Sequence, residues 1–392
     1  MSLSVALDAS ALLPDFKEHA TRGIGRYVRE LCGYFARCSP ADTTVFNFNQ
    51  VDLVRGGFAG NLIESLPLGR RTLSQQCFYP FRLATGLTQK CDVVHFPAHM
   101  DAPAWNPKKY IVTVLDLIPL VLADMYKAAQ PSLRFHFARW LEIRAIKNAA
   151  LVLAISHNTA RDVERLLGVP PERIRVTHLG VEQKFFTAEI VPEAKLELKR
   201  GLGIEDQAPL VLYVGGIDQR KNVEVLLQVV HRLNDRRRSV GKSAAKLLMV
   251  GRIAQDRQYP NLVSAISRLG LQNDIIMPGF VDDQRLLEIY AGSDLFLYPS
   301  LYEGFGLPPL EAMASGIPVV SSNTSCMPEV LESAAMLFDP TDAGAMAEAA
   351  EAILNDPNLA ATLRGKGKEQ ASKFTWDKTG EATLASYQEF RS

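Results

Sequence analysis

The residues with the clearest chemical potential lie in one run, Tyr298–Ala314, whose sequence is YPSLYEGFGLPPLEAMA. An apolar strand enters a loop with two glycines, and prolines then stand where the first turn of a helix tolerates a missing N–H. Gly304 and Gly306 let the main chain approach a ligand closely, and free N–H groups at a helix start bind anions. The run predicts a phosphate site, with Glu303 just before it and Glu311 inside the helix.

A second loop, Gly215–Asn222 (GGIDQRKN), brings two cations to the start of a helix and follows the apolar run Leu210–Val214. Arg220 and Lys221 would oppose the dipole of that helix. Anionic oxygens between them would remove the conflict, because a diphosphate uses arginine as a fork and lysine as a point charge. The alternative interpretation is a solvated Arg-Lys pair.

Two further loops carry weaker signals. The sequence Pro278–Val281 ends an apolar run and could hold a flat base against its main chain, but it has no side chain that reads one base over another. Asp116 ends the run Tyr110–Leu115, at the edge of a sheet where ligands bind. It could orient a hydroxyl group or cap the next turn, and both interpretations stay open.

The loop after the first strand contains Gly23 and Gly25 with Arg22 and Arg26 beside them. Its G-x-G resembles the start of a dinucleotide fingerprint, but Val28 occupies the last glycine position, which argues against one. The two amides could contact a phosphate or an acceptor at a helix start, or they could form a plain turn.

Strands and helices alternate along the chain, and 392 residues suit two domains. Short continuous apolar runs between helical patterns indicate parallel sheets covered on both faces. The predicted strands are Val5–Asp8, Thr44–Phe48, Val93–Phe96, Tyr110–Leu115, Leu151–Ile155, Leu210–Val214, Leu247–Val250, Ile275–Met277, Leu295–Tyr298, Pro318–Ser321 and Ala335–Phe338. We predict two doubly wound α/β domains, residues 1–185 and 186–374, with ligands at the cleft between them.

Composition excludes several classes of protein. The net charge is zero, with a slightly basic N-terminal half and a slightly acidic C-terminal half, so nothing indicates a nucleic-acid partner. The five cysteines are scattered without metal-ligand spacing, which favours a reduced, cytoplasmic chain. The N-terminus has no basic segment followed by an apolar one, and no apolar stretch approaches 18 residues. We therefore expect neither a signal peptide nor a membrane span.

Several of these motifs together resemble the retaining glycosyltransferases of family 4, which have the GT-B fold. The similarity covers essentially the whole chain. The motifs that carry it are Arg22–Tyr27, Ala154–Ser156, Val214–Asn222, Phe280-Val281 with Leu286, Glu303–Leu307, Leu310–Val320, Pro328–Val330 and Phe374–Trp376. The Val214–Asn222 run is similar to the branch rich in mannosyltransferases of bacterial surface polysaccharides.

The resemblance implies a role for each matching residue. Glu303 would lie against the donor sugar, Glu311 would hold the ribose hydroxyls, and Arg220 and Lys221 would neutralise the leaving diphosphate. The implied catalytic residues are Glu303, Lys221, Arg220 and Asp116. The implied donor-binding residues are Glu311, Gly304, Phe305, Gly306, Leu307, Gly216, Gly279 and Val281. The implied acceptor or phosphate loop is Gly23, Gly25 and Arg22.

The resemblance also implies an architecture and a reaction. The last helix, about residues 375–392, would return to the N-terminal domain, and the acceptor would bind mainly to residues 1–180. The chain would move a hexose with retention, needing neither a metal nor a cofactor. We expect mannose from GDP-mannose as donor, and a glycan or lipid-linked saccharide of a surface polysaccharide as acceptor. The alternatives are a UDP- or dTDP-sugar donor, or an inactive nucleotide-sugar-binding subunit.

Two departures from the family pattern weaken the assignment of the sugar more than the assignment of the reaction. Leu115 stands where many members have a histidine that contacts the donor sugar, and leucine forms no hydrogen bond. Asp116, His95 or His99 could take over, or the sugar could lack a polar group there, as a deoxysugar does. Gly216 stands where other branches have an arginine, for which Arg220 could compensate.

The segment Leu133–Lys147 is basic and amphipathic. It could lie on a membrane that carries a lipid-linked acceptor, giving a cytoplasmic protein with a peripheral membrane contact. The alternative is a helix that covers its sheet with Phe137, Leu141 and Ile143 or their neighbours.

Overall fold

The computed structural model describes residues 3–14, 23–38, 41–47, 75–76, 80, 91–106, 109–126 and 133–391. The chain forms two units. The N-terminal unit comprises Met1–Leu179 together with Trp376–Ser392, and the C-terminal unit comprises Gly180–Thr375. The division between Leu179 and Gly180 lies a few residues before the boundary expected from the sequence, and the last helix belongs to the N-terminal unit.

Each unit is built on a six-stranded sheet in which all neighbouring strands are parallel. The N-terminal sheet has the order β2-β1-β3-β4-β5-β6, and the C-terminal sheet β12-β11-β10-β7-β8-β9. The strands are β1 Leu3–Asp8, β2 Ala41–Phe46, β3 Val93–Phe96, β4 Tyr110–Val114, β5 Leu151–Ala154, β6 Ile174–Val176, β7 Leu210–Val214, β8 Lys246–Val250, β9 Ile275–Gly279, β10 Leu295–Tyr298, β11 Val319–Ser322 and β12 Met336–Phe338.

Helices connect these strands. In the described ranges they are α1 Gly23–Cys38, α2 Ile118–Val121, α3 Ala123–Tyr126, α4 Leu133–Asn148, α5 His157–Leu167, α6 Gln183–Phe186, α7 Pro192–Gly201, α8 Val223–Ser239, α9 Tyr259–Arg268, α10 Asp283–Gly292, α11 Leu307–Ala314, α12 Met327–Leu331, α13 Ala343–Asn355, α14 Pro357–Ser372 and α15 Trp376–Arg391. No helix in this part of the chain is both long enough and apolar enough to cross a membrane.

The predicted α/β class and doubly wound plan are confirmed. Strands β3, β4, β5 and β10 are buried at every position, as expected where helices cover both faces of a parallel sheet. The sequence analysis missed β6, whose sequence is Ile-Arg-Val. It is a short edge strand, and the charge of Arg175 interrupts the apolar pattern that reveals the central strands.

The strand order reverses once in each sheet. In the C-terminal sheet the chain runs from β7 to β8 to β9 on one side, and then continues at β10 on the other side of β7. The loops after β7 and β10 therefore diverge from neighbouring strand ends. Open parallel sheets bind ligands at such a topological switch point. In the N-terminal sheet the corresponding reversal lies between β1 and β3.

A buried polar network joins α15 to the N-terminal sheet. The Nδ1 atom of His95 lies 2.6 Å from the hydroxyl of Tyr387, and its Nε2 atom lies 2.8 Å from Oγ1 of Thr113. The hydroxyl of Tyr27 lies 3.0 Å from the same Thr113 oxygen. Burial lowers the pKa of His95 to about 3, so the imidazole is neutral at physiological pH and donates one hydrogen bond and accepts the other.

The change Tyr387→Phe is expected to destabilise the N-terminal unit by about 1–3 kcal/mol, because it leaves one nitrogen of the buried His95 without its partner. Calorimetric melting should show a decrease of several degrees in the transition of this unit. Tyr34→Phe is the matched control: Tyr34 is buried, but its hydroxyl forms no hydrogen bond with another described residue. Equal melting temperatures for the two variants would contradict the prediction.

Candidate active site

The loops after β7 and β10 are hydrogen-bonded to each other beyond the switch point. The main-chain N–H of Leu301 donates to the carbonyl of Arg220 at 2.7 Å, and the oxygen of the Ser300 hydroxyl lies 3.1 Å from the same carbonyl oxygen. Asn222, in the left-handed region with φ of 55°, donates its side-chain amide to the carbonyl of Pro299 at 3.1 Å. These contacts hold the cationic loop against the glycine-rich one.

The carboxylate of Glu303 lies at the centre of this pair of loops. Its Oε1 atom accepts hydrogen bonds from Nζ of Lys221 at 2.6 Å, the hydroxyl of Ser300 at 2.6 Å and the hydroxyl of Tyr298 at 3.0 Å. Its Oε2 atom accepts from Arg220 at 2.7 Å. Both cations that the sequence analysis assigned to a diphosphate are therefore in contact with Glu303.

Burial and charge act in opposite directions on Glu303. Burial alone would raise its pKa, but the charges of Lys221 and Arg220, with the hydrogen bonds from Lys221 and Ser300, lower it to about 2. Lys221 is buried as well, and burial lowers its pKa while the Glu303 charge opposes that change. The carboxylate is consequently ionised at any pH at which the protein would work.

This pKa shift predicts an acid-dependent loss of stability. The pKa of Glu303 is 4.5 in the absence of the fold and about 2 within it. The difference stabilises the fold by about 3 kcal/mol above pH 4.5, and this contribution disappears as the pH falls towards 2. The free energy of unfolding should therefore fall less between neutral pH and about pH 3 in a Glu303→Gln variant than in the parent. Equal decreases would refute the shift.

Two stacked tyrosines contact the loop after β7, and the sequence analysis missed both. The rings of Tyr213 in β7 and Tyr298 in β10 lie 6.1 Å apart. The Tyr213 hydroxyl donates to the carbonyl of Gly216 at 2.5 Å, and Nζ of Lys221 donates to the Tyr298 hydroxyl at 2.7 Å. Each tyrosine thus fixes one part of the β7 loop. Their sequence signal, a tyrosine near the end of a buried strand, is shared with ordinary core residues.

The glycine-rich turn is held from the other side by the loop that precedes α12. The N–H of Glu303 donates to the hydroxyl of Ser325 at 3.1 Å, and the thiol of Cys326 donates to the Glu303 carbonyl at 3.2 Å. Gly306 has φ of 90° and immediately precedes α11, which carries proline at its start as predicted. Only glycine adopts this backbone conformation without strain.

The change Gly306→Ala is expected to cost more than the strain of positive φ alone, because its Cβ would lie 2.3 Å from Cε of Met327. Gly203→Ala is the matched control, since Gly203 has φ of 71° with nothing within 4 Å of the added carbon. In urea unfolding we expect the free energy of unfolding to fall by about 1–2 kcal/mol in Gly203→Ala and by about 1 kcal/mol more in Gly306→Ala, the low end for overpacking, because Cε is the end of a flexible methionine side chain. In a Met327→Ala background the two glycine substitutions should cost the same amount; a persistent excess at Gly306 would contradict the predicted clash.

The other predicted donor residues lie in the same unit. Glu311 is buried in α11 and accepts a hydrogen bond from the Tyr290 hydroxyl at 3.0 Å. Phe305 is buried, with its ring 5.7 Å from that of Phe374. The remaining residues of this set are Gly304 and Leu307 in the turn, Gly216 after β7, and Gly279 and Val281 at the end of β9. The loop residues of this set therefore lie at the carboxyl edge of one sheet, while Glu311 lies further along α11.

The predicted set has three described members in the N-terminal unit, which are Asp116, Gly23 and Gly25. Asp116 accepts a hydrogen bond from the N–H of Ile118 at 3.1 Å, which is the capping interaction that the sequence analysis left open. Gly23 and Gly25 lie in the first turn of α1. Arg22 lies outside the described residues. Leu115 is buried.

The two histidines proposed as substitutes at the Leu115 position differ in their surroundings. Both ring nitrogens of His95 are engaged with Tyr387 and Thr113, so the structure argues against a role for His95 in contacting the sugar. His99 is buried in the short helical turn His99–Asp101.

The sheet-covering alternative for α4 is confirmed in part, because Ile143 packs against the buried core of the N-terminal unit. Phe137 is 39% exposed instead of covering the sheet, and Phe135 and Trp140 are 45% and 50% exposed. Among the described side chains of α4, Ala145 and Ile146 are fully buried. The helix therefore presents aromatic side chains to solvent.

Comparison with protein families decides the assignment of the chain. The model of "Glycosyltransferase Family 4" matches residues 21–185, and the model of "Glycosyl transferases group 1" matches residues 194–370. The chain is a glycosyltransferase of family 4. The resemblance seen in the sequence motifs is confirmed, and each matched range falls almost entirely within one structural unit of this glycosyltransferase.

Individual relatives agree with this family. This glycosyltransferase is 33% identical over 62% of its length to the O-antigen chain mannosyltransferase B of Escherichia coli, and it is 27% identical over 74% of its length to the serotype-specific mannosyltransferase WbdA of Escherichia coli. The matches span 61% and 36% of those two proteins. Sucrose-phosphate synthase of Thermosynechococcus elongatus has a similar structure, with a TM-score of 0.74, 22% identity and 99% of each chain covered. The GT-B fold is thereby confirmed.

Proposed function

We propose that this glycosyltransferase moves mannose from GDP-mannose, with retention, to a glycan or lipid-linked saccharide in surface-polysaccharide synthesis. The observation that carries the reaction class is the Glu303 carboxylate bound by Arg220 and Lys221 beside the start of α11. The choice of sugar is supported by the similarity to two E. coli proteins named as mannosyltransferases.

In the proposed reaction the bond between the anomeric carbon and the diphosphate breaks while an acceptor hydroxyl attacks the same face of the sugar. The acceptor oxygen forms the new bond, and its proton passes to the departing diphosphate. Negative charge grows on the diphosphate, where Arg220, Lys221 and the free N–H groups at the start of α11 would stabilise it. Glu303 would bind the sugar and keep both cations in position.

The ionisation of Glu303 favours transfer over hydrolysis by an acid–base pair. A general acid in a glycosidase has a raised pKa, so that it still carries a proton near neutral pH. The pKa of Glu303 is lowered to about 2, because two cations and two hydrogen bonds outweigh the effect of burial. Glu303 therefore has no proton to give to a leaving group.

A lipid-linked acceptor would bring the enzyme to a membrane, and α4 has the composition for that contact. Its exposed Phe137 and Trp140 are followed along one helical stripe by the exposed cations Arg144 and Lys147. Aromatic residues enter the interface of a bilayer and cations attract anionic lipid. Cosedimentation with anionic vesicles should fall in a Phe137→Ser/Trp140→Ser variant, and unchanged binding would refute this contact.

Thermal-shift measurements with GDP, UDP, dTDP and ADP test the donor. With all four nucleotides at the same concentration, GDP should stabilise the protein most. The gain in the free energy of unfolding is about 2.7 kcal/mol when GDP is at 100 times its Kd. A larger effect of UDP would refute the GDP-mannose donor. Incubation of purified enzyme with GDP-mannose and an acceptor panel then tests the activity, and NMR of the anomeric proton tests retention. Nucleotide-sugar binding without turnover on any acceptor would instead support an inactive subunit, the alternative suggested by Leu115.

A further inference from the structure

Arg252 and Phe280 lie on neighbouring loops at the carboxyl edge of the C-terminal sheet. Arg252 follows β8 and Phe280 follows β9, and the N–H of Gly251 donates to the carbonyl of Gly279 at 3.2 Å. The guanidinium carbon of Arg252 lies 5.4 Å from the centre of the Phe280 ring. Phe280 is 68% exposed, and it is the only aromatic residue among the exposed large apolar side chains of residues 180–375, all of which are described.

The guanidinium of Arg252 is available to a ligand. The side chain is exposed, and it forms no hydrogen bond or ion pair with another described residue. Its contact with the Phe280 ring uses none of its five N–H donors. An exposed arginine beside an aromatic ring is common, so this contact alone does not indicate a ligand. The position of Arg252 at the carboxyl edge of the sheet does.

Arg252 stands between two loops that carry predicted donor residues. The N–H of Gly215 donates to the carbonyl of Val250 at 3.0 Å, which places the β7 loop directly beside Gly251. The approach is so close that a Cβ on Gly251 would lie 2.3 Å from the Gly215 carbonyl oxygen. On the other side, Gly279 has φ of 83° and open space within 4 Å of where its Cβ would be. A flat group can therefore lie over the β9 loop beside Arg252.

We propose that Arg252, held by Phe280, determines specificity by reading the nucleobase of the donor, an inference that rests on the proposed nucleotide-sugar function. A guanidinium donates two parallel hydrogen bonds to two acceptors on one edge, and guanine offers such a pair in O6 and N7. Uracil and thymine offer a single carbonyl oxygen there, and adenine places a donor beside its N7. Arg252 thus favours guanine over the other three bases.

Calorimetric titration of the full chain with GDP, UDP and inorganic pyrophosphate tests this role in the parent and in Arg252→Met. Methionine keeps an apolar stem against Phe280 and removes the donors. The variant should bind GDP about 10- to 100-fold more weakly, while its affinities for UDP and pyrophosphate stay within about twofold of the parent. Arg257→Met is the matched control, because Arg257 is an exposed arginine of the same loop without a hydrogen bond to another described residue.

Three results would overturn the inference, and they differ in what they say about the proposed function. Unchanged GDP affinity in Arg252→Met would overturn the base-reading role alone. Equal losses for GDP, UDP and pyrophosphate would also overturn it, because Arg252 would then contact the diphosphate. If the parent binds no nucleoside diphosphate, the proposed function fails and the inference fails with it.

Discussion

Glu303→Gln is expected to lower kcat and kcat/KM for sugar transfer together, by roughly 10²–10³-fold, with little change in KM. The amide keeps the size of the side chain but removes the charge that Lys221 and Arg220 contact at 2.6 and 2.7 Å. The carboxylate only accepts hydrogen bonds, whereas the amide nitrogen of glutamine donates them. That nitrogen would have to face either the three donors that contact Oε1 or the guanidinium that contacts Oε2. Both cations would then lose the position from which they act on the leaving diphosphate.

Initial rates over a range of nucleotide-sugar concentrations measure this effect. The control is Glu224→Gln, which removes a carboxylate paired with Arg268 at 2.6 Å, with both side chains 61% exposed. That pair lies in the same unit, and its N–O distance is nearly the same as those of Glu303 with Lys221 and Arg220. The control therefore reports any general consequence of losing one negative charge. Near-normal turnover of a folded Glu303→Gln enzyme would show that the carboxylate has no part in the reaction.

The local parts of this site follow from the sequence because local geometry depends on neighbouring residues. Glycine at 306 and proline at 308 and 309 specify a turn and the start of a helix, and α11 begins at Leu307. Likewise, Arg220 and Lys221 at the start of a helix indicate an anion whatever the rest of the fold does. The anion in contact with them in the structure is the carboxylate of Glu303, 82 residues after Lys221.

The long-range parts could not be predicted, because they depend on strand order. Nothing in the residues near β7 says that β10 is its neighbour, and that adjacency alone brings Lys221 to Glu303. Tyr213 and Tyr298 were missed for the same reason: on a buried strand a tyrosine has the pattern of a core residue until the partner of its hydroxyl is known. His95 is a different case: it was one candidate to replace the histidine absent at Leu115, but it forms part of a buried structural network.

Lys221→Met is expected to lower the free energy of unfolding of the C-terminal unit by about 3–5 kcal/mol, which is the usual cost of removing one partner of a buried ion pair. Nζ of Lys221 contacts both Glu303 and Tyr298, and the side chains of Lys221 and Glu303 are 9% and 10% exposed. Without the ammonium group, an ionised carboxylate remains buried with Arg220 as its one cation. Loss of transfer in this variant would therefore not distinguish catalysis from folding.

The double variant Glu303→Gln/Lys221→Met separates the two effects. Replacing both members of a buried pair by neutral groups of similar size is often close to neutral, so urea unfolding should show the double variant to be more stable than Lys221→Met. Sugar transfer should nevertheless stay as low as in Glu303→Gln, because stability returns without the charges that act on the donor. The exposed pair gives the comparison cycle: Glu224→Gln, Arg268→Met and their combination should each change stability by about 1 kcal/mol or less. If the double variant were no more stable than Lys221→Met, the lysine would stabilise the fold by packing, and its pairing with Glu303 would not be the cause.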